Sequence, residues 1–182
     1  MFTQPSWLSV GTIAALVLHR AEIVKSHIGG MTIDYETIAE EMPFEDDDDA
    51  EDIMARWFDF CVERWLTMFA TGSAVVHRAI AVDDVDEVVE AIRRGDDMGC
   101  HWTWDMASAS TCYHGGAARR IDLMMTGIVG EADVEWSTTL QMHFGHPHER
   151  EIRTNEGVRI TGLVRMDTGE MIDIAPRMMA AA

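Results

Sequence analysis

The spacing of apolar residues divides the chain into a helical first part and a strand-rich remainder. Over the first 72 residues, apolar side chains recur three and four positions apart, the period that gathers them on one face of a helix. Ile13, Leu16, Val17, Ile23 and Val24 define one such helix, opened by Ser6 or Ser9 as N-cap and stopped by Gly29-Gly30. Asp34 opens a short second helix through Ile38 and Met42, and Pro43 ends it. The acidic run Glu45 to Asp49 reads as a solvated loop whose charge suits the N-terminus of a long helix from Ala50 to Ala70. There Trp57, Phe58, Cys61, Trp65, Met68 and Phe69 form one stripe, which reads as core rather than as a cofactor surface.

After Gly72 the pattern changes. Ser73 to Val82 is a run of Val, Ile and Ala expected of a buried strand. Asp84, with Glu87 behind it, signals a helix that Gly95 stops. A short strand from Gly99 to Trp104 leads into a helix beginning near Asp105. Further strands are expected at Ile121 to Val129, Val134 to Met142, Glu149 to Thr154, Val158 to Met166 and Met171 to Ala175. Asn155-Glu156-Gly157 and Asp167-Thr168-Gly169 read as hairpin turns between the last three. The expected class is α+β, with a helical N-terminal segment (1–72) before a core with a largely antiparallel sheet (73–182).

Composition narrows the function classes. With 182 residues, 47% of them hydrophobic and six of them Trp, the chain can build one proper core. A formal charge of -18, from 14 Lys+Arg against 32 Asp+Glu and with no basic cluster, repels a phosphate backbone and argues against nucleic acid as partner. Cys61, Cys100 and Cys112 are odd in number and lack CxxC spacing, so a reducing compartment fits better than a disulfide framework. The apolar stretch from Trp7 to Leu18 is too short to span a bilayer. A cytoplasmic protein without a membrane partner is expected.

Three separated segments carry candidate chemistry. Arg78 is a guanidinium inside the apolar run Ala74 to Ile80, costly unless it faces a cleft or an anion. His101-Trp102-Thr103-Trp104-Asp105 is a strand end running into a helix. Glu149-Arg150-Glu151 puts two carboxylates at i and i+2, which on a strand share one face with Arg150 on the other. Each also has an ordinary reading: an ion pair for Arg78, an exposed edge for the two glutamates, core and rim for His101 and Trp102. His143, His146 and His148, with His114, raise a metal site. The missing Cys partner and the flanking Gly145 and Pro147 argue against it, so no metal is expected. Glu131 and Glu135 are a second acidic group and the fallback catalytic candidates.

In order and context these segments resemble the arginine-type mono-ADP-ribosyltransferases, related to cholera-toxin-like and phage-encoded enzymes. That pattern is an arginine on a first strand, a Ser-Thr-Ser-like element on a second and Glu-x-Glu opening a later one. The counterparts are Arg78, the stretch His101 to Trp104, and Glu149-Arg150-Glu151, with Val158-Arg159-Ile160 completing a final hairpin. The resemblance covers Ser73 to Ala175. It departs from the pattern at His101, where the family has Ser, and at Trp104, where it has a small residue.

The resemblance implies an ADP-ribosyltransferase-like split sheet and an enzyme that uses NAD as substrate, transferring ADP-ribose to a protein acceptor, with arginine as the modified side chain. Glu151 would stabilise the oxocarbenium-like transition state, and Glu149 would orient the incoming nucleophile. Arg78 would hold the diphosphate, His101 and Thr103 would bond ribose or carboxylate, and Trp102 or Trp104 would stack on a ring. A phage or bacterial effector acting in a host cytoplasm suits this format. The alternatives are an NAD glycohydrolase, in which water replaces the acceptor, and a non-enzymatic acidic binding or inhibitor protein that keeps the fold. The assignment requires Arg78, His101 or Thr103, and Glu151 to meet at one cleft. It fails if Arg78 and Glu151 lie on opposite sides of the sheet.

Overall fold

Capping side chains and apolar stripes set the first half of the molecule. The computed structural model describes residues 9–28, 33–45, 48–111, 120–155 and 157–175. Helix α1 (Ile13–Leu18) begins where the Thr12 hydroxyl accepts from the Ala15 N–H at 3.2 Å. Thr12 rather than Ser9 is therefore the cap; Ser6 and the stop at Gly29-Gly30 lie outside the described residues. One expected helix is in fact two. The His19 N–H bonds back to the Ala15 and Leu16 carbonyls, tightening the last turn of α1 before α2 (Arg20–Ile28) starts. The break shifts the phase of the stripe and leaves Val17 48% exposed, while Ile13, Leu16, Ile23 and Val24 are buried.

Helix α3 (Tyr35–Glu41) is capped by Asp34, whose carboxylate accepts from the Thr37 N–H at 3.1 Å. Helix α4 (Ala50–Met68) is capped by Asp49 and buries Trp57, Phe58, Cys61 and Trp65 on one face, as their spacing predicts. Side chains of this size contribute about 1.5–3 kcal/mol each on burial. One contiguous core joins that face to the sheet, from Ile13 through Trp65 and Trp136 to Leu163. Among the described residues no helix is long and apolar enough to cross a membrane.

The sheet has five strands: β1 (Ser73–Val82), β2 (His101–Thr103), β3 (Ile121–Gly130), β4 (Glu151–Arg153) and β5 (Arg159–Arg165). Their order is β4-β2-β1-β3-β5, and every ladder is antiparallel. The fold is α+β with helices at the N-terminus. Strands β1 and β3 pair along their whole length, from Ser73 with Gly130 to Val82 with Ile121. Strands β1 and β2, in contrast, share the single pair His77 with Thr103. Helix α5 (Val85–Arg94) follows β1, capped by Asp84 and closed by Gly95 at φ 77°. Helix α6 (Met106–Thr111) follows β2, with the Asp105 carboxylate accepting from the Ser108 N–H at 3.0 Å.

Four further sequence expectations are corrected. The segment expected as a strand from Val134 to Met142 is instead a turn and helix α7 (Trp136–Gly145). Trp136, Leu140 and Phe144, all fully buried, recur every fourth residue, a helical period masked by the intervening Thr residues. Glu149 is not on a strand: it ends a 3₁₀ turn (Pro147–Glu149), and Arg150 follows at φ 49°, so the i, i+2 alternation with Glu151 does not apply. Strands β4 and β5 do not form a hairpin. They end the hydrogen-bonded order at opposite sides, β4 on β2 and β5 on β3, and Glu156 of the supposed turn lies outside the described residues. Beyond the turn at Asp167-Thr168-Gly169, the expected last strand contributes one bridge, Met171 with Val164.

Helix α7 buries a titratable group. Burial pushes the His143 imidazole down to about 4, against the opposing hydrogen bond to the Thr139 carbonyl and with help from the Arg64 and Arg150 charges. Burial also lowers His27 and His77. A ring that is neutral when folded and protonated when unfolded makes stability rise with pH between about 4 and its unfolded value of 6.5. That stability is fully present above 6.5 and lost as pH falls toward 4. For His143 alone it amounts to about 3 kcal/mol. Urea unfolding midpoints should fall steadily from pH 7 to pH 4.5; a flat profile there would contradict the buried neutral ring.

Candidate functional site

The pleat of the sheet decides which side chains can meet. Directly opposed residues of antiparallel strands project to the same face. The row Glu151, Thr103, His77, Thr126 therefore shares one face, together with His101 and Arg153 two pairs further along. On the opposite face lie Ala74, Val76, Trp102, Met125, Ile152 and Leu163, all buried in the core. Helix α6 and the turn at Pro147–Glu149 stand over the first face. A cleft of about 310 Å³ opens there, bordered by His77, Arg78, His101, Trp102, Thr103, Ser108, Glu149 and Glu151.

Glu151 is the buried centre of this cleft, with its side chain 10% exposed. Its Oε1 lies 2.7 Å from His101 Nδ1, and the outer ring nitrogen of His101, Nε2, meets the Arg153 guanidinium. The Thr103 hydroxyl accepts from the Asp105 N–H at 3.1 Å, so it caps the turn into α6 as well as facing the cleft. Glu149 borders the cleft; its N–H donates to the His146 carbonyl at 3.1 Å, while its carboxylate makes no hydrogen bond or ion pair with another described residue. Arg150, between the two glutamates, points away and pairs with Glu41 and, at 3.3 Å, with Asp105.

Arg78 enters from the other side. By the pleat its Cβ belongs with Val76 and Ile80 on the core face, opposite Glu151. The opposite-side condition set for failure is therefore met by the Arg78 backbone position. Its guanidinium nevertheless reaches the border of the cleft beside the lone β1–β2 pair, and only by that reach does Arg78 meet Glu151 at the cleft. There Nη1 donates to the His101 carbonyl at 3.4 Å. Gly99 makes the room: it sits at φ +94°, and a Cβ there would run into the guanidinium. No carboxylate pairs with Arg78 among the described residues.

Trp102 does not have the placement that ring stacking needs. Its indole is 2% exposed on the core face, with Nε1 donating to the Gly99 carbonyl at 2.8 Å. Trp104 is stacked on the His143 ring, 4.7 Å between centroids. The β2–β4 register pairs Trp102 with Ile152 and Thr103 with Glu151, so Trp102 faces the side opposite Glu151.

Three cleft-side residues escaped the sequence reading. His77 bonds Thr126 through Nδ1 at 3.2 Å, and burial lowers its affinity for a proton against the opposing pull of Asp105. Ser108 lies 2.8 Å from the Asp105 carboxylate and 3.0 Å from the His148 carbonyl, tying α6 to the turn that carries Glu149. Burial raises the Asp105 carboxyl, but the Ser108 hydroxyl and N–H and the Arg150 charge outweigh it and leave it below its ordinary value. Arg153 is the third. Only its i+2 distance from Glu151 signalled a shared face.

The fallback acids are not at the cleft border: Glu131 accepts from the first N–H of α1 at 3.0 Å, and Glu135 accepts from the Thr138 hydroxyl at 2.8 Å and lies 3.7 Å from Arg153 Nε. His143 is buried against Thr139, away from the exposed rings of His146 and His148. Among the described residues no three His, Cys, Asp or Glu converge as metal ligands; Cys112 and His114 lie outside them. Comparison with protein-family models, with curated proteins and with solved structures gives no match to this chain.

Proposed function

We propose that the protein is a mono-ADP-ribosyltransferase, which cleaves NAD at the nicotinamide–ribose bond and passes ADP-ribose to a protein acceptor, with arginine as the modified residue. The observation that carries this reading is the gathering of Arg78, His101, Thr103, Glu149 and Glu151, from three distant segments, at the border of one cleft. The assignment of the sheet to the split ADP-ribosyltransferase-like form belongs to the same proposal, and the single pair joining β1 to β2 supports it. A reducing cytoplasmic setting fits the free thiols of Cys61 and Cys100.

The chemistry assigns each group a task. As nicotinamide departs, positive charge grows on the ribose C1 and ring oxygen, and the Glu151 carboxylate lies ready to stabilise it. His101 occupies one oxygen of that carboxylate and leaves lone pairs for a ribose hydroxyl. The Arg78 guanidinium supplies donors for a diphosphate oxygen from the edge of the cleft. The Glu149 carboxylate, without a partner among the described residues and on the turn that faces Ser108, accepts a hydrogen bond from the acceptor guanidinium and orients it.

Transfer to protein tests this reading: the wild type with biotin-labelled NAD and a cell lysate should label protein, and unlabelled lysate with NAD left intact would sink it. The two glutamates should separate by role. Glu149→Gln should cut transfer to free arginine on the order of 10-fold or more while NAD hydrolysis persists, because it disturbs the acceptor alone. Equal loss of both activities in that variant would contradict the division.

Hydrolysis of NAD is the second reading, and the position of Glu149 favours it over a plain binding protein. A carboxylate on a turn, without a partner among the described residues, can orient water as readily as a guanidinium. Loss of NAD without labelled protein would select it.

A further inference from the structure

At the cleft a hydrogen-bonded chain runs from Arg153 through His101 to Glu151, and its first member, Arg153, has no part in the proposed roles. We propose that Arg153 is a positioning residue that fixes His101 as its Nδ1–H tautomer, so that the ring donates to Glu151 and aims that carboxylate into the cleft. The catalytic consequence rests on the NAD reading above; the tautomer does not.

Donor and acceptor accounting carries the inference. The Glu151 carboxylate can only accept, and its Oε1 is 2.7 Å from Nδ1, so Nδ1 bears the proton. A guanidinium can only donate, and the nearer ring nitrogen to Arg153 Nη1 is Nε2, so Nε2 presents its lone pair. Nη1 is also 3.2 Å from Nδ1, but a donor cannot take the Nδ1 proton. The Nε2–H tautomer would face donor with donor at Arg153 and leave lone pair facing lone pair at Glu151. His101 is the exposed member, its side chain 57% accessible against 10% for Glu151, and among the described residues Glu151 and Arg153 are the hydrogen-bond partners of its ring.

Arg153 is itself held from behind. Its N–H donates to the Thr139 hydroxyl at 3.0 Å and its carbonyl accepts from the Glu135 N–H at 2.8 Å, both at the start of α7. Its Nε lies 3.7 Å from the Glu135 carboxylate. Helix α7 thus sets the arginine, the arginine sets the imidazole, and the imidazole sets Glu151.

Nitrogen-15 NMR of ring-labelled histidine in the full chain at pH 8, with His101 assigned by a His101→Asn difference spectrum, reads the tautomer directly. Expected are an unprotonated Nε2 and a protonated Nδ1 in the wild type, retained in Arg153→Lys, which keeps a donor, and averaged in Arg153→Met. An Nε2–H ring in the wild type, or an unchanged spectrum in Arg153→Met, would overturn the inference. Both outcomes are independent of NAD turnover. Where the wild type consumes NAD, Arg153→Met should lower kcat on the order of tenfold at unchanged KM, with partial rescue by Arg153→Lys. A wild type inert toward NAD but with the Nδ1–H signature would sink the enzymatic reading and leave the positioning role standing.

Discussion

Glu151→Gln should abolish nearly all NAD consumption while leaving the protein folded. The amide keeps an oxygen that accepts from His101 Nδ1–H, so the contact at 2.7 Å survives and the buried site stays satisfied. What disappears is the negative charge facing the ribose as nicotinamide leaves. Removing a single preorganised electrostatic partner of a transition state typically costs about 10²–10³ in kcat. The loss should fall on kcat rather than KM, because charge on the ribose develops only in the transition state. A circular dichroism melt within a few degrees of wild type would show that the fold is intact. Wild-type NAD consumption by the folded variant would remove Glu151 from the mechanism.

Arg78→Ala should weaken NAD binding and barely change stability. Had Arg78 been one half of a buried ion pair, the same change would strand a carboxylate and cost about 3–5 kcal/mol. Among the described residues no such partner exists, and the guanidinium makes one hydrogen bond, a long one to the His101 carbonyl at 3.4 Å. Loss of that bond and of limited packing should stay within about 1 kcal/mol. A charge-assisted bond to a diphosphate is worth about 1.5–3 kcal/mol, so the Kd for NAD should rise about 10- to 100-fold. The melting temperature reports both effects, since a ligand that binds only the native state raises it by mass action. The expected result is a variant that melts like wild type without NAD and loses the NAD-dependent rise. A variant that melts far earlier, beside a wild type that NAD does not shift, would assign Arg78 a structural role. This test matters because the pleat sets the Arg78 backbone position on the face opposite Glu151, and the guanidinium reaches the cleft by passing Gly99.

Local chemistry made much of the fold readable. The caps at Asp34, Asp49 and Asp84 and the glycine stop at Gly95 act on groups within a few residues, and the sequence states them directly. The stripe of α4 and the run of β1 have one periodicity each. Helix α7 was lost because Thr residues, which favour strands, stand between its buried Trp136, Leu140 and Phe144. The partners of β4 and β5 were lost for another reason. Adjacent strands in sequence usually pair, but here the two ends of the sheet receive them, and only long-range contacts decide that.

The candidate site was readable as a set of segments and not as a geometry. Arg78, His101, Thr103 and Glu151 do border one cleft, yet Trp102 is turned into the core, and Glu149 arrives from a turn rather than a strand. Strand alternation needs the strand boundary, and Arg150 at φ 49° moved that boundary between the two glutamates. His77 and Ser108 gained their places from the β1–β2 register and from the way α6 folds over the sheet, neither of which leaves a local mark.

Release of free nicotinamide from NAD tests the central claim most directly, because every version of the proposed chemistry breaks that bond. The wild-type protein incubated with NAD and free arginine should release nicotinamide steadily, and Glu151→Gln at the same concentration should release almost none. Intact NAD after prolonged incubation with the folded wild type, with and without arginine, would contradict the account.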